Sequence, residues 1–177
     1  SVGGGAVGER LLRAAVAASR TGALAALGWR LLAGPDLPGG VMEALRRSVP
    51  AHAVVERARP DFPALLRRCR LSVSQAGYNT ALDVLNAGCR AVLVPFAADG
   101  ETEQATRAAI LAARGLATVV DEATLTPGSL AAGIAAALEA PAPARPAIAM
   151  DGAAETARTV VAALKRGRLP EMPVGAL

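Results

Sequence analysis

The residues of this chain best suited to bind a ligand lie in one run, Ser74-Gln75-Ala76-Gly77-Tyr78-Asn79-Thr80-Ala81-Leu82-Asp83. Apolar Leu71 and Val73 lead into a turn at Gly77, and Asn79 or Thr80 is suited to cap the helix that follows. Gly88 stops that helix, and Ala91-Val92-Leu93-Val94-Pro95-Phe96 reads as a buried strand beyond it. A helix that opens just past a strand turns unpaired backbone N–H groups toward whatever lies above the sheet edge, which makes an anion site. Asp83, one turn into the helix, is placed to accept hydrogen bonds from a sugar hydroxyl beside a bound phosphate; taken alone it also reads as a helix-surface carboxylate. Phosphate beside sugar is the chemistry of a nucleotide-sugar.

Two further loops join the first. In Pro95 to Gln104, the residues Asp99, Glu101, Glu103 and Gln104 crowd together. Acids at a helix start complement its dipole, which accounts for Glu101 and Glu103. It does not call for Gln104, whose amide both donates to and accepts from sugar hydroxyls. Arg107 shares that helix face and either pairs with Glu103 or meets a phosphate. Gly3-Gly4-Gly5-Ala6-Val7-Gly8 satisfies G-x-G-x-x-G. A dinucleotide site also wants an acid about 20 residues on, where this chain has Leu31-Leu32-Ala33-Gly34, so a dehydrogenase is not indicated. The loop is left as a phosphate contact through Gly4 and Gly5 or as a structural turn.

These loops need a frame, and the apolar pattern supplies one. Short strands are expected at Trp29–Leu32, Ala53–Val55, Leu71–Val73, Ala91–Phe96 and Ala117–Val120. Helices are expected over Glu9–Ser19, Val41–Ser48, Phe62–Arg68, the central segment, Thr102–Arg114, Ser129–Glu139 and Gly152–Arg166. Strands alternating with helices imply right-handed crossovers and a doubly wound parallel sheet, an α/β fold whose ligands bind beyond the carboxyl ends of the strands.

Composition agrees. A chain of 177 residues with 53% hydrophobic content can bury a core. Aromatic residues are only 2%, so that core is Ala, Leu and Val, and the stacking platforms of a single-stranded nucleic-acid binder are missing. The net charge of +4 is spread over helices, with the densest group at Arg57, Arg59, Arg67, Arg68 and Arg70. That group is either a solvated face or a contact with an acidic partner or membrane surface. Cys69 and Cys89 lack metal-ligand companions and read as reduced thiols of a cytoplasmic protein. His52, the one histidine, precedes a strand and reads as structural. No metal site or cofactor is indicated. The opening Ser1-Val2-Gly3 reads as the end of a strand cut before its loop, so a longer protein is expected.

The run from Ser72 to Gly88, then Ala91 to Phe96, Glu103-Gln104 and Arg107-Ala108, resembles the C-terminal domain of family 28 glycosyltransferases, which include the peptidoglycan N-acetylglucosaminyltransferases. The resemblance implies the Rossmann-like donor half of a GT-B enzyme. On that reading, residues 1–166 bind a nucleoside-diphosphate sugar, most simply a UDP-sugar, and residues 167–177 are a loosely held tail. An N-terminal acceptor domain, or a separate subunit, would lie outside this chain and supply most of the catalytic base. The resemblance further implies that Asp83 holds the ribose hydroxyls, and that Gly77, Tyr78, Asn79 and Thr80 approach the diphosphate, with Gln75 also among the donor-binding residues. Gln104, with Glu103 beside it, would address the sugar, while Arg57 and Ala58 border the base. The family usually has Glu where Asp83 stands and Asn where Arg107 stands, so the peptidoglycan enzyme is not a close match. A hexosyltransferase is expected, cytoplasmic and in peripheral contact with the inner face of the membrane. A nucleotide-sugar 2-epimerase of related fold and a non-catalytic donor-binding subunit are the alternatives.

Overall fold

The computed structural model describes residues 1–2, 8–96, 102–143 and 152–166. The contact pattern divides the chain into a unit of Ser1–Arg145 and a second of Pro146–Leu177. The second unit contains helix α7, Gly152–Arg166. Gly4, Gly5, Asp99, Glu101 and the tail 167–177 lie outside the described residues.

The first unit alternates as expected. In chain order it runs α1 (Glu9–Ala18), a 3-10 turn (Gly22–Ala26), β1 (Trp29–Ala33), α2 (Gly39–Ser48), β2 (Ala53–Arg57), α3 (Phe62–Leu66) and β3 (Ser72–Ser74). It continues with α4 (Tyr78–Ala87), β4 (Ala91–Leu93), α5 (Glu103–Ala113), β5 (Thr118–Val119) and α6 (Pro127–Glu139). Gly88 ends α4 in the left-handed region at φ 63°, where an L side chain is strained. A side-chain cap starts α6. Thr126 accepts from the Ser129 N–H at 3.0 Å while the Ser129 hydroxyl accepts from the Thr126 N–H at 2.9 Å, a reciprocal cap that starts α6.

Among the described residues the strand pairs are all parallel and form two ladders, β1 with β2 and β3 with β4 and β5. Ser1 and Val2 connect these ladders. The Ser1 amine donates to the Val73 carbonyl at 2.6 Å, and the Val2 N–H donates to the Leu32 carbonyl at 3.1 Å. Successive residues bonding to opposite sides are the mark of extended chain lying between two neighbours. The lateral order is therefore β2, β1, residues 1–2, β3, β4, β5.

The sheet faces are covered by different helices. Leu11, Leu12 and Val16 of α1, Met42 and Leu45 of α2, and Leu130 and Ile134 of α6 pack with Leu31, Val55, Val92 and Val94. A smaller cluster of Leu66, Val84, Cys89 and Ala91 includes Phe62 and Cys69 at its margin. Ala91 and Val92 are neighbours in β4 yet belong to different clusters, as the alternation of a strand buried on both faces requires.

Candidate functional site

The chain passes from residues 1–2 outward to β1 and β2, then crosses back to begin β3 on the other side. That reversal is the switch point of a doubly wound sheet, and the crevice above it, at the carboxyl ends of the strands, is where such folds hold ligands. The rim there is formed by the end of β3 and the start of α4.

Helix α4 begins two or three residues earlier than a cap at Asn79 or Thr80 implies. Gly77 is its N-cap, with extended backbone and no side-chain hydrogen bond, and Tyr78 is its first residue. Asn79 and Thr80 are therefore inside the first turn and do not cap it, a correction that follows from where the helix starts. The first backbone N–H with a helical acceptor is that of Ala81, bonded to the Gly77 carbonyl at 2.9 Å. The N–H groups of Tyr78, Asn79 and Thr80 precede it and have no acceptor among the described residues. Positive potential is thus concentrated at the rim.

Asp83 stands four residues after Asn79 and three after Thr80, so the three share one helix face. Asp83 is half-buried and makes no ion pair or hydrogen bond among the described residues. Gln75 and Ser74 are buried at the strand end just before the turn. The Ser74 hydroxyl has no hydrogen-bond partner among the described residues, and sequence reasoning passed over it. Its only signal is position, at the carboxyl end of a central strand.

Helix α5 fastens this rim from the side. Arg107 donates through Nη1 to the Ala76 carbonyl at 2.7 Å, and its guanidinium lies 5.6 Å from the centre of the Tyr78 ring. Its approach to Glu103 is longer, 3.8 Å. Arg107 thus makes the expected Glu103 pair, while its short contact is with the loop that precedes α4. Gln104 Oε1 accepts from the Phe96 N–H at 3.2 Å, joining the outgoing end of β4 to the first turn of α5.

Arg57 and Ala58 end β2, at the far side of β1. Arg57 Nη1 donates to the carbonyls of Gly34 at 2.8 Å and Pro35 at 3.1 Å. The Ala58 N–H donates to the Ala33 carbonyl at 2.7 Å, which uses the backbone donor nearest the rim. Arg59 forms a two-pronged pair with Asp61, both contacts 2.8 Å, which holds the Asp61 carboxyl below its ordinary range. Two members of the arginine group are therefore occupied locally. His52 bonds the Ser19 carbonyl at 3.0 Å, at the amino end of β2 and away from the crevice.

Gly8 opens α1 directly against Val2, and a Cβ at Gly8 would overlap the Val2 side chain. The last glycine of the opening motif is thus a packing requirement.

The family model for the glycosyltransferase family 28 C-terminal domain matches residues 42–163. The UDP-N-acetylglucosamine–N-acetylmuramyl-(pentapeptide) pyrophosphoryl-undecaprenol N-acetylglucosamine transferase of Rhodospirillum centenum is 36% identical over 89 residues, covering 50% of this chain and 24% of that protein. The enzyme of the same name from Acidiphilium cryptum is 29% identical over 141 residues, covering 78% of this chain and 38% of that protein. The chain thus spans well under half the length of these relatives. Among solved structures, a glycotransferase of kitacinnamycin superposes with a TM-score of 0.62 at 23% identity, over 96% of this chain and 43% of its own. The calicheamicin glycosyltransferase CalG4 gives 0.59 at 20% identity, over 78% and 33%. At these identities the structural likeness concerns the fold, a GT-B glycosyltransferase half.

Proposed function

Because this chain belongs to the glycosyltransferase family 28 C-terminal domain family, we propose that it is the donor half of a hexosyltransferase and binds a nucleoside-diphosphate sugar, most simply a UDP-sugar. The observation that carries this reading is the start of α4. Three backbone N–H groups without an acceptor among the described residues stand at the switch point, on the same short helix as an Asp that has no partner among those residues. The diphosphate would lie over the N–H groups of Tyr78, Asn79 and Thr80, and Asp83 would accept from the ribose hydroxyls. Gln75, Gly77, Glu103 and Gln104 border the same space, with Arg107 holding the loop beneath it. Gly4 and Gly5 are proposed as a second phosphate contact, and Arg57 and Ala58 as the margin of the base.

In transfer, negative charge accumulates on the departing diphosphate. Fixed N–H dipoles at a helix start stabilise that charge without reorganising, which favours departure over the ground state. The acceptor and the base that deprotonates it would be supplied by a domain outside this chain. The domain alone should therefore bind donor and transfer little or nothing.

Titration calorimetry of the chain with UDP, dTDP, GDP and NAD tests the proposal. UDP should bind most tightly, and Asp83→Ala should weaken it by about 1.5–3 kcal/mol, the worth of a hydrogen bond to a charged group, or roughly 10- to 150-fold in Kd. Binding of all four nucleotides unaffected by Asp83→Ala would overturn the assignment.

A further inference from the structure

The chain has two Phe, one Trp and one Tyr. Trp29, Phe62 and Phe96 are half-buried; Trp29 donates through Nε1 to the Leu24 carbonyl at 3.1 Å, and Phe62 packs at the margin of the cluster of Leu66 and Val84. Tyr78 differs from them. It is 54% exposed, and its hydroxyl makes no hydrogen bond among the described residues. Core packing therefore does not account for this ring, yet the ring is not loose. The Arg107 guanidinium lies 5.6 Å from its centre, and that guanidinium is itself fixed by the 2.7 Å bond to the buried Ala76 carbonyl. A cation held against an aromatic face restrains the ring. The remaining surface of Tyr78 stays open to solvent at the mouth of the crevice.

Helix geometry places the ring relative to the diphosphate. Tyr78 and Asp83 are five residues apart on α4, which at roughly 3.6 residues per turn sets their side chains about 140° apart around the axis. Asp83 lies on one flank of the helix start, while the Tyr78 ring lies on the other, against Arg107 of α5. Gln104 stands three residues before Arg107, on the same face of α5. A donor laid across the N–H groups with its ribose at Asp83 carries its sugar to the opposite flank, that of Tyr78 and Gln104. We propose that the Tyr78 ring is a stacking platform for the hexosyl ring of the donor, and a determinant of which sugars bind. It favours hexoses that present a continuous face of C–H bonds, whose positive polarisation matches the negative face of an aromatic ring. The ring is held before binding, so little ordering cost offsets the contact. Backbone and side chain of Tyr78 thus have separate tasks, the N–H toward the diphosphate and the ring toward the sugar. This inference rests on the donor reading of α4 and adds to it a residue that discriminates among sugars.

The test compares UDP with UDP-glucose and UDP-galactose by titration calorimetry on the parent chain, Tyr78→Ala and Tyr78→Phe. Tyr78→Ala should weaken at least one of the two UDP-hexoses by roughly 3- to 10-fold more than it weakens UDP. Tyr78→Phe, which keeps the ring, should retain most of that difference. Because the chain has a single Tyr, ring-labelled tyrosine marks this residue alone in NMR. Nuclear Overhauser contacts from the labelled ring should reach the sugar C–H protons of the bound UDP-hexose. Equal weakening of UDP and both UDP-hexoses by Tyr78→Ala, or no weakening of any, would overturn the proposal. So would contacts from the ring to the uracil in place of the sugar, which would assign the ring to the base. Failure of UDP to bind the parent chain is a separate result that defeats the donor reading and the stacking assignment together, whereas UDP binding without ring–sugar contacts defeats the stacking assignment alone. If Tyr78→Ala does not fold, the Overhauser contacts in the parent chain decide the question.

Discussion

Arg107→Met separates a loop clamp from a ligand contact. The guanidinium makes three contacts of unequal worth. Its hydrogen bond to the Ala76 carbonyl is 2.7 Å long, and Ala76 has no exposed surface, so deleting the donor leaves a buried carbonyl without its partner. Such a loss costs about 1–3 kcal/mol. The stack on Tyr78 contributes roughly 0.5–1 kcal/mol, since that ring is 54% exposed. The Glu103 pair, at 3.8 Å with an 82% exposed carboxylate, is worth about 0–0.5 kcal/mol. Helix propensity hardly changes between Arg and Met. The sum predicts a stability loss of about 2 kcal/mol for Arg107→Met, under about 1 kcal/mol for Tyr78→Leu, and near zero for Glu103→Gln.

Urea unfolding monitored by circular dichroism measures all three. With a slope of about 1–3 kcal/mol per molar, Arg107→Met should lower the midpoint by roughly 1 M with the slope unchanged. UDP affinity should fall with it, because the carbonyl it secures lies just before the turn that aims α4. Two results would refute the reasoning. If Glu103→Gln were as costly as Arg107→Met, the ion pair and not the carbonyl contact would carry the effect. If Arg107→Met unfolded with the parent and lost only nucleotide affinity, the guanidinium would be a direct phosphate ligand.

Three other substitutions probe the frame. A Cβ at Gly133 would come within 2.5 Å of Val120 Cγ2, so Gly133→Ala should destabilise by about 1 kcal/mol or more despite better helix propensity, whereas Gly128→Ala, with its nearest neighbour at 3.8 Å, should be neutral or stabilising in the same thermal melts. Thr126→Ala removes one half of the reciprocal cap on α6 and should cost about 1 kcal/mol by chemical denaturation. The neighbouring Cys89 thiol holds the Cys69 thiol down to about 7, while Cys89 itself is pushed up. Iodoacetamide should therefore label Cys69 first, with a rate that falls off as pH drops through about 7, and Cys89→Ala should move that titration upward; a Cys69 titration that Cys89→Ala leaves in place would show that the thiols are independent.

What the sequence made legible follows the range of each interaction. Element order came from local apolar period, and the stop at Gly88 from its own backbone freedom. The first-turn position of Asn79 was obscured because Gly77 caps with backbone alone, and the α6 cap was missed because Ser129 stands where the recognised pattern has Glu or Gln. The Arg107–Ala76 contact spans 31 residues and joins a helix to a loop in another crossover, so spacing could only suggest Glu103. Cys69 and Cys89 illustrate the same point. Each lies just before a strand, and the register of Ser72 opposite Ala91 brings the ends of β3 and β4 together. Proximity there is a property of the sheet, invisible at a separation of 20 residues.

The candidate donor site depends on how firmly β3 is held. That strand is three residues long and is secured toward β4 by Ser72 to Arg90 and Val94 to Ser74, both 2.8 Å. Toward β1 the Ser1 amine donates to the Val73 carbonyl. Since α4 begins four residues after β3 ends, any freedom of β3 is transmitted to the N–H groups of Tyr78, Asn79 and Thr80. Affinity for a diphosphate depends on those groups being held in place before binding, because ordering them afterwards costs free energy that binding must offset.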